Sequence, residues 1–164
     1  RIWKKIHRIK LRKITNELEI QRVFTAGETP DDEQFHDWFG LVSKQLHVKG
    51  SLVIRLVDEA ESQQLNLSYR GKDSSTNVLS FPFEAPPNIE DNHIGDLVIC
   101  VPVVNREAMA QNKPQNHHWA HIVLHGILHL LGYDHIDDDE ATKMEQMEID
   151  LLNKLGISNP YEAQ

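Results

Sequence analysis

The sequence is poor in cysteine, in apolar runs and, beyond its first residues, in positive charge. Its single cysteine, Cys100, rules out an intrachain disulfide and best fits a reducing, cytoplasmic setting. The longest apolar run, Leu97–Val104, has eight residues with Pro102 counted. A membrane-spanning helix needs about 20, so none is expected, nor is a membrane partner. Lys and Arg number 17 against 25 Asp and Glu, for a net charge of −8. Residues 1–13 hold seven of those basic residues and no acid, so the rest of the chain sets 10 basic against 25 acidic residues, a net −15. Coating a duplex requires clustered Lys and Arg. A general DNA-binding role is therefore excluded and no DNA partner is expected, while a local basic groove remains compatible.

The first residues lack the apolar core of a secretory signal, and the chain does not open on Met. Residues 1–16 are read as a basic extension, a solvated tail in preference to a nucleic-acid-binding arm, and residues 17–164 as one domain. With 164 residues, 40% apolar and 26% charged, the chain can bury a full core. There is no internal repeat or low-complexity linker.

Periodicity gives the element order. Residues 17–24 read as a strand with Leu18, Ile20 and Arg22 on one face. Thr29-Pro30-Asp31-Asp32 reads as a helix start with Thr29 as cap, and the helix runs to about Leu46 on Phe35, Trp38, Phe39 and Val42. A strand over 52–57 leads through Asp58 into a helix over 59–67. Strands follow over 78–83 and 97–101, then helices over 102–112, 115–131 and 138–155, the last with Asp137 and Glu140 spaced as a capping box. This predicts an α+β fold, a small mixed sheet packed by about five helices.

Ten histidines are present, and six of them fall between His117 and His135. The informative stretch is His125-Gly-Ile-Leu-His129-Leu-Leu-Gly132-Tyr-Asp-His135. Two histidines four apart on a helix lie about 40° apart around the axis and about 6 Å apart along it, so both rings can reach one small ion. Gly132 can take a left-handed conformation and stop the helix, which frees His135 to fold back over the same point. Three imidazoles and an open fourth position make the catalytic zinc arrangement. The spacing is that of the metzincin motif, so the helix is zincin-like, but Gly126 stands where a metzincin carries its general-base Glu. The cage is kept and the usual peptidase base is missing. His118 and His121 are read as supporting groups or helix-face residues, with His121 the most plausible fourth ligand of a structural site.

Residues 69–83, Tyr-Arg-Gly-Lys-Asp-Ser-Ser-Thr-Asn-Val-Leu-Ser-Phe-Pro-Phe, are polar and then abruptly apolar, and read as a surface loop feeding a strand. Arg70 and Lys72 are the only close basic pair between residues 56 and 105, which makes them candidates for an anion. A guanidinium offers a fixed fork of donors to phosphate oxygens. A metal beside one Arg is a workable phosphodiester site.

Tyr-Arg-Gly-Lys-Asp…Thr-Asn-Val-Leu-Ser-Phe-Pro-Phe at 69–83, Gly-Asp-Leu-Val-Ile-Cys at 95–100 and the 125–135 motif together closely resemble the YbeY family of bacterial metal-dependent endoribonucleases. The resemblance covers about residues 17–160; the basic stretch 1–13 departs from it. It implies zinc, one ion per chain, held by His125, His129 and His135, with Arg70 essential. It also implies a cytoplasmic enzyme specific for single-stranded RNA, linked to the small ribosomal subunit and its proteins, and acting in maturation of the 16S ribosomal RNA 3′ end and in ribosome quality control. On this reading His125 and Arg70 carry catalysis, Arg70 binds the scissile phosphate and Lys72 helps to steer RNA. Water activated by the ion is the first choice of base, with Asp134 and Asp96 behind it. Nickel or copper would also suit three imidazoles. The alternatives are a zinc metallopeptidase-like hydrolase and a non-enzymatic ribosome-binding factor with a structural metal.

Overall fold

A computed structural model describes residues 16–162; the basic stretch 1–13 lies outside the described residues. Strands β1 (Glu17–Arg22), β2 (Ser51–Val57), β3 (Val78–Pro82) and β4 (His93–Cys100) form one sheet in the order β1-β2-β4-β3. The β1–β2 and β2–β4 pairs are parallel and β3–β4 is antiparallel. Parallel neighbours cannot be joined by a tight turn. Helix α1 (Asp32–Leu46) makes the first crossover, and α2 (Glu59–Arg70) followed by β3 makes the second. Helices α3 (Val101–Ala110), α4 (Gln115–Leu130) and α5 (Asp138–Lys154) complete an α+β architecture with a mixed sheet and, among the described residues, five helices.

The sheet buries both faces. Leu52, Ile54, Leu56, Leu97 and Ile99 point to one side and pack with Phe35, Trp38 and Phe39 of α1, the apolar face of α4, and Met144, Leu151 and Leu152 of α5. Val57, Leu79, Val98 and Cys100 point to the other side, against Leu65 of α2 and Val103 of α3. Burial raises the pKa of the Cys100 thiol, which keeps it protonated and inert. Trp119, Ile122, Val123, Ile127 and Leu128 of α4 are buried. Phe35 meets Trp38 and Trp119 edge-on at 5.7 and 6.2 Å, a favoured aromatic geometry.

Three element limits differ from the sequence reading. Asp31, and not Thr29, caps α1: its side chain accepts from Gln34 N at 2.8 Å, and the Gln34 side chain accepts from Asp31 N at 3.0 Å. Thr29 Oγ1 is occupied instead by Arg22 Nη1 at 2.7 Å. Helix α2 runs on to Arg70, so Tyr69 and Arg70 stand on its last turn and not in a loop. Strand β4 begins at His93, four residues before the apolar run, because Gly95 carries it past a close contact. A Cβ at Gly95 would lie 2.5 Å from the Phe81 carbonyl oxygen.

Candidate active site

Helix α4 lies against the free-edge side of the sheet because Gly126 lets it come close. A Cβ there would sit 2.8 Å from Leu97 Cδ2 and 3.2 Å from Val78 Cγ2, and Ser80 Oγ donates to Gly126 O at 3.1 Å. Position 126 therefore faces the sheet. The metzincin base is missing in space as well as in sequence.

The end of α4 is built for the third histidine. Gly132, at φ 99, lies in the region that favours glycine. Its N–H bonds His129 O at 3.1 Å, and the Tyr133 N–H bonds Leu128 O at 3.0 Å. This pair of bonds makes a Schellman stop, which satisfies the last carbonyls and turns the chain back. Asp134 Oδ1 then accepts from His135 N at 2.7 Å and fixes the turn. As a result His125, His129 and His135 each offer one nitrogen, all within 4.8 Å of one another. Their ring centroids are 4.7 to 5.0 Å apart. Burial, with the charges of His125 and His135, lowers the His129 pKa, so its lone pair is free at neutral pH.

Sequence reasoning missed Glu148. This carboxylate of α5 is fully buried. It accepts from His125 Nδ1 and from the Tyr161 hydroxyl, and from His121 Nε2 at 3.3 Å. Burial alone would raise its pKa, but the His121 and His125 hydrogen bonds, the His125 charge and the Tyr161 hydrogen bond outweigh burial and carry it down to about 2. Burial and the Glu148 charge raise the Tyr161 phenol, which therefore stays a donor. An ionised carboxylate can only accept, so His125 holds its proton on Nδ1 and keeps the Nε2 lone pair. Carboxylates of this kind orient and strengthen histidine ligands. A signal was available: Glu148 occupies the buried stripe of Met144, Leu151 and Leu152 on α5, where an unpaired acid would be costly.

A cavity of about 640 Å³ opens over the cluster. Its floor is His125, His129 and His135, and one wall is Gly132, Tyr133 and Asp134. The opposite wall is the edge of β3 with Tyr69, Arg70, Thr76 and Asn77. The 71–77 segment that delivers this wall is pinned. Gly71, at φ 70, ends α2; buried Asn66 donates to Ser74 O at 2.8 Å, and Ser62 Oγ bonds both Thr76 O and Thr76 N at 3.0 Å. Asn77 and His118 both donate to Glu107, at 3.2 and 3.0 Å.

The structure thus brings together Arg70 and the three histidines in one cavity. Lys72 is exposed and does not line it. Asp134 lines it, whereas Asp96 does not and is paired with His93 Nε2 at 2.9 Å. His121 turns its Nε2 to Glu148 and stands outside the cluster. The donor set suits a transition metal: three imidazoles, one with its ring N–H already committed to a carboxylate.

Comparison with known proteins follows the same line. The structure of TM1509 from Thermotoga maritima, determined in solution, shares the fold at a TM-score of 0.54 and 23% identity, covering 89% of this chain and 99% of that one. The family model described as Endoribonuclease YbeY matches residues 14–156, nearly the whole described chain and every wall of the cavity. The chain therefore belongs to the YbeY family of metal-dependent endoribonucleases.

Proposed function

We propose that this protein is a zinc-dependent endoribonuclease specific for single-stranded RNA, acting in the cytoplasm on the 3′ end of 16S ribosomal RNA and in quality control of the small ribosomal subunit. The observation that carries this reading is the meeting of three histidine nitrogens within 4.8 Å in the cavity that Arg70 also lines. His125, His129 and His135 would hold the ion. When bound, zinc supplies Lewis-acid polarisation of a phosphoryl oxygen and activation of water at neutral pH.

The chain's own residues do the rest. Glu148 holds the His125 ring by Nδ1 and leaves Nε2 facing the cluster. Arg70, on the last turn of α2 with its backbone fixed by Gly71, presents two parallel donors to a phosphate and offsets the negative charge that grows on it. Asn66 and Ser62 keep the 71–77 segment against α2, which holds the wall in place. Lys72, exposed two residues beyond Arg70, adds a charge that steers RNA in an otherwise acidic protein.

The packing of Gly126 against Leu97 and Val78 weighs against a metallopeptidase. The engagement of His121 with Glu148 weighs against a closed structural site. The test is cleavage of single-stranded RNA by wild type, His125→Ala and chelator-treated protein. Wild type should cleave and the other two should not. Full activity in either would overturn the proposal.

A further inference from the structure

One wall of the cavity carries an exposed aromatic ring, Tyr69. Tyr69 is 55% exposed, although its ring packs on Phe81 at 4.5 Å with the planes 52° apart. Tyr69 precedes Arg70 in the chain, and both line the cavity. Two residues beyond Phe81, Phe83 is 40% exposed and meets the His93 ring edge-on at 5.3 Å. Phe81 packs with Leu79, Val98 and Leu65, which puts it on the α2 side of the sheet. His125 and His129 stand on α4, which packs on the other face, and the cavity lining runs along β3 through Val78, Leu79, Ser80 and Pro82.

A lone exposed tyrosine would mean little. Here the ring is already backed by Phe81, so little side-chain freedom remains to be lost when a flat group settles on its outer face. It stands beside Arg70, which also lines the cavity. A ligand that fits both must carry an anionic group next to a flat aromatic group, with that aromatic face not already stacked on a partner strand. An unpaired nucleotide in RNA has this chemistry, and a base-paired one does not.

We propose that Tyr69, held by Phe81, is a stacking platform for one base of single-stranded RNA, set next to the phosphate bound by Arg70. The preference for single strands then has a physical source: only an unpaired base can turn its face to Tyr69 while its phosphate reaches the cavity. This inference rests on the endoribonuclease reading and names the contact by which that site recognises its substrate.

The test uses the zinc-loaded full chain and a single-stranded RNA 12-mer, intact or with one abasic nucleotide moved along it. Tyr69→Ala should raise KM about tenfold with kcat changed less than twofold, and Tyr69→Phe, which keeps the ring, should restore KM. Wild type should lose a similar factor in KM when the base at one position is missing, and Tyr69→Ala should be indifferent to that loss. Metal content equal to wild type confirms that the Ala variant is folded. An unchanged KM in Tyr69→Ala, or equal sensitivity of both proteins to every abasic position, overturns the platform while leaving the nuclease standing. Absence of any RNA cleavage by wild type overturns both.

Discussion

Replacing Glu148 by Gln keeps the shape of the side chain and removes its charge. In the native protein three donors converge on this buried carboxylate, and its pKa is carried from 4.5 down to about 2. A depressed carboxylate pKa stabilises the fold above the unfolded value, and the contribution is lost as pH falls toward the folded one. From 4.5 to about 2, at about 1.4 kcal/mol per pH unit, this is roughly 3 kcal/mol, more than half of it gone by pH 3. Metal-free wild type should therefore lose about 2 kcal/mol more than Glu148→Gln between pH 5 and pH 3, read by urea unfolding at both pH values. Zinc affinity should fall 10- to 100-fold in the variant, because His125 exchanges a charged, acceptor-only partner for an amide that can either accept or donate and no longer sets its tautomer. Competition with a chromophoric chelator measures this directly. A variant that binds zinc as tightly as wild type and follows the same acid profile would refute the role given to Glu148.

Three further outcomes follow from the same geometry. Arg70→Ala should lower kcat on single-stranded RNA by about 10²- to 10³-fold with zinc binding unchanged, and Arg70→Lys should recover only part, since an ammonium cannot make the paired contact; an effect confined to KM would contradict this. Asn66→Ala should cost about 1–3 kcal/mol in denaturant unfolding, because it frees the Ser74 carbonyl from a donor that is 1% exposed. Gly126→Glu, which recreates the metzincin motif, should destabilise the fold by more than about 2 kcal/mol and yield no peptide cleavage, since the new side chain would meet Leu97 and Val78; zinc-dependent cleavage of an unfolded protein substrate would revive the peptidase reading.

The histidine centre was legible in the sequence because its geometry is local. A helical repeat of four sets His125 and His129 on one face, and Gly132, two residues past the helix, turns the chain so that His135 returns to them. The element order was legible for a similar reason: apolar periodicity and Gly or Pro punctuation mark most boundaries. What could not be read depends on tertiary contact. Thr29 looks like a cap until Arg22, on β1, takes its hydroxyl. Residues 68–70 carry no apolar period, so α2 seemed to stop at Leu67, and only the stop at Gly71 places Arg70 on a helix. The 71–77 segment reads as solvated, yet its polar groups are tied to Ser62, Asn66 and Glu107. Glu148 is one of 25 acids, and its partners lie 13 to 27 residues away on other parts of the chain. Its place among buried apolar residues on α5 was the one sign that it has work to do.

Three imidazoles that share one ion needed for RNA cleavage must tie activity to metal occupancy. Loading metal-free, tag-free protein with zinc, and following bound metal and single-stranded RNA cleavage on the same samples for wild type and His135→Ala, measures that tie. The expected result is one ion per chain, cleavage rising in step with it, and the loss of both in His135→Ala. Cleavage by the metal-free protein, or a His135→Ala variant that still binds zinc tightly and cuts RNA, would contradict it.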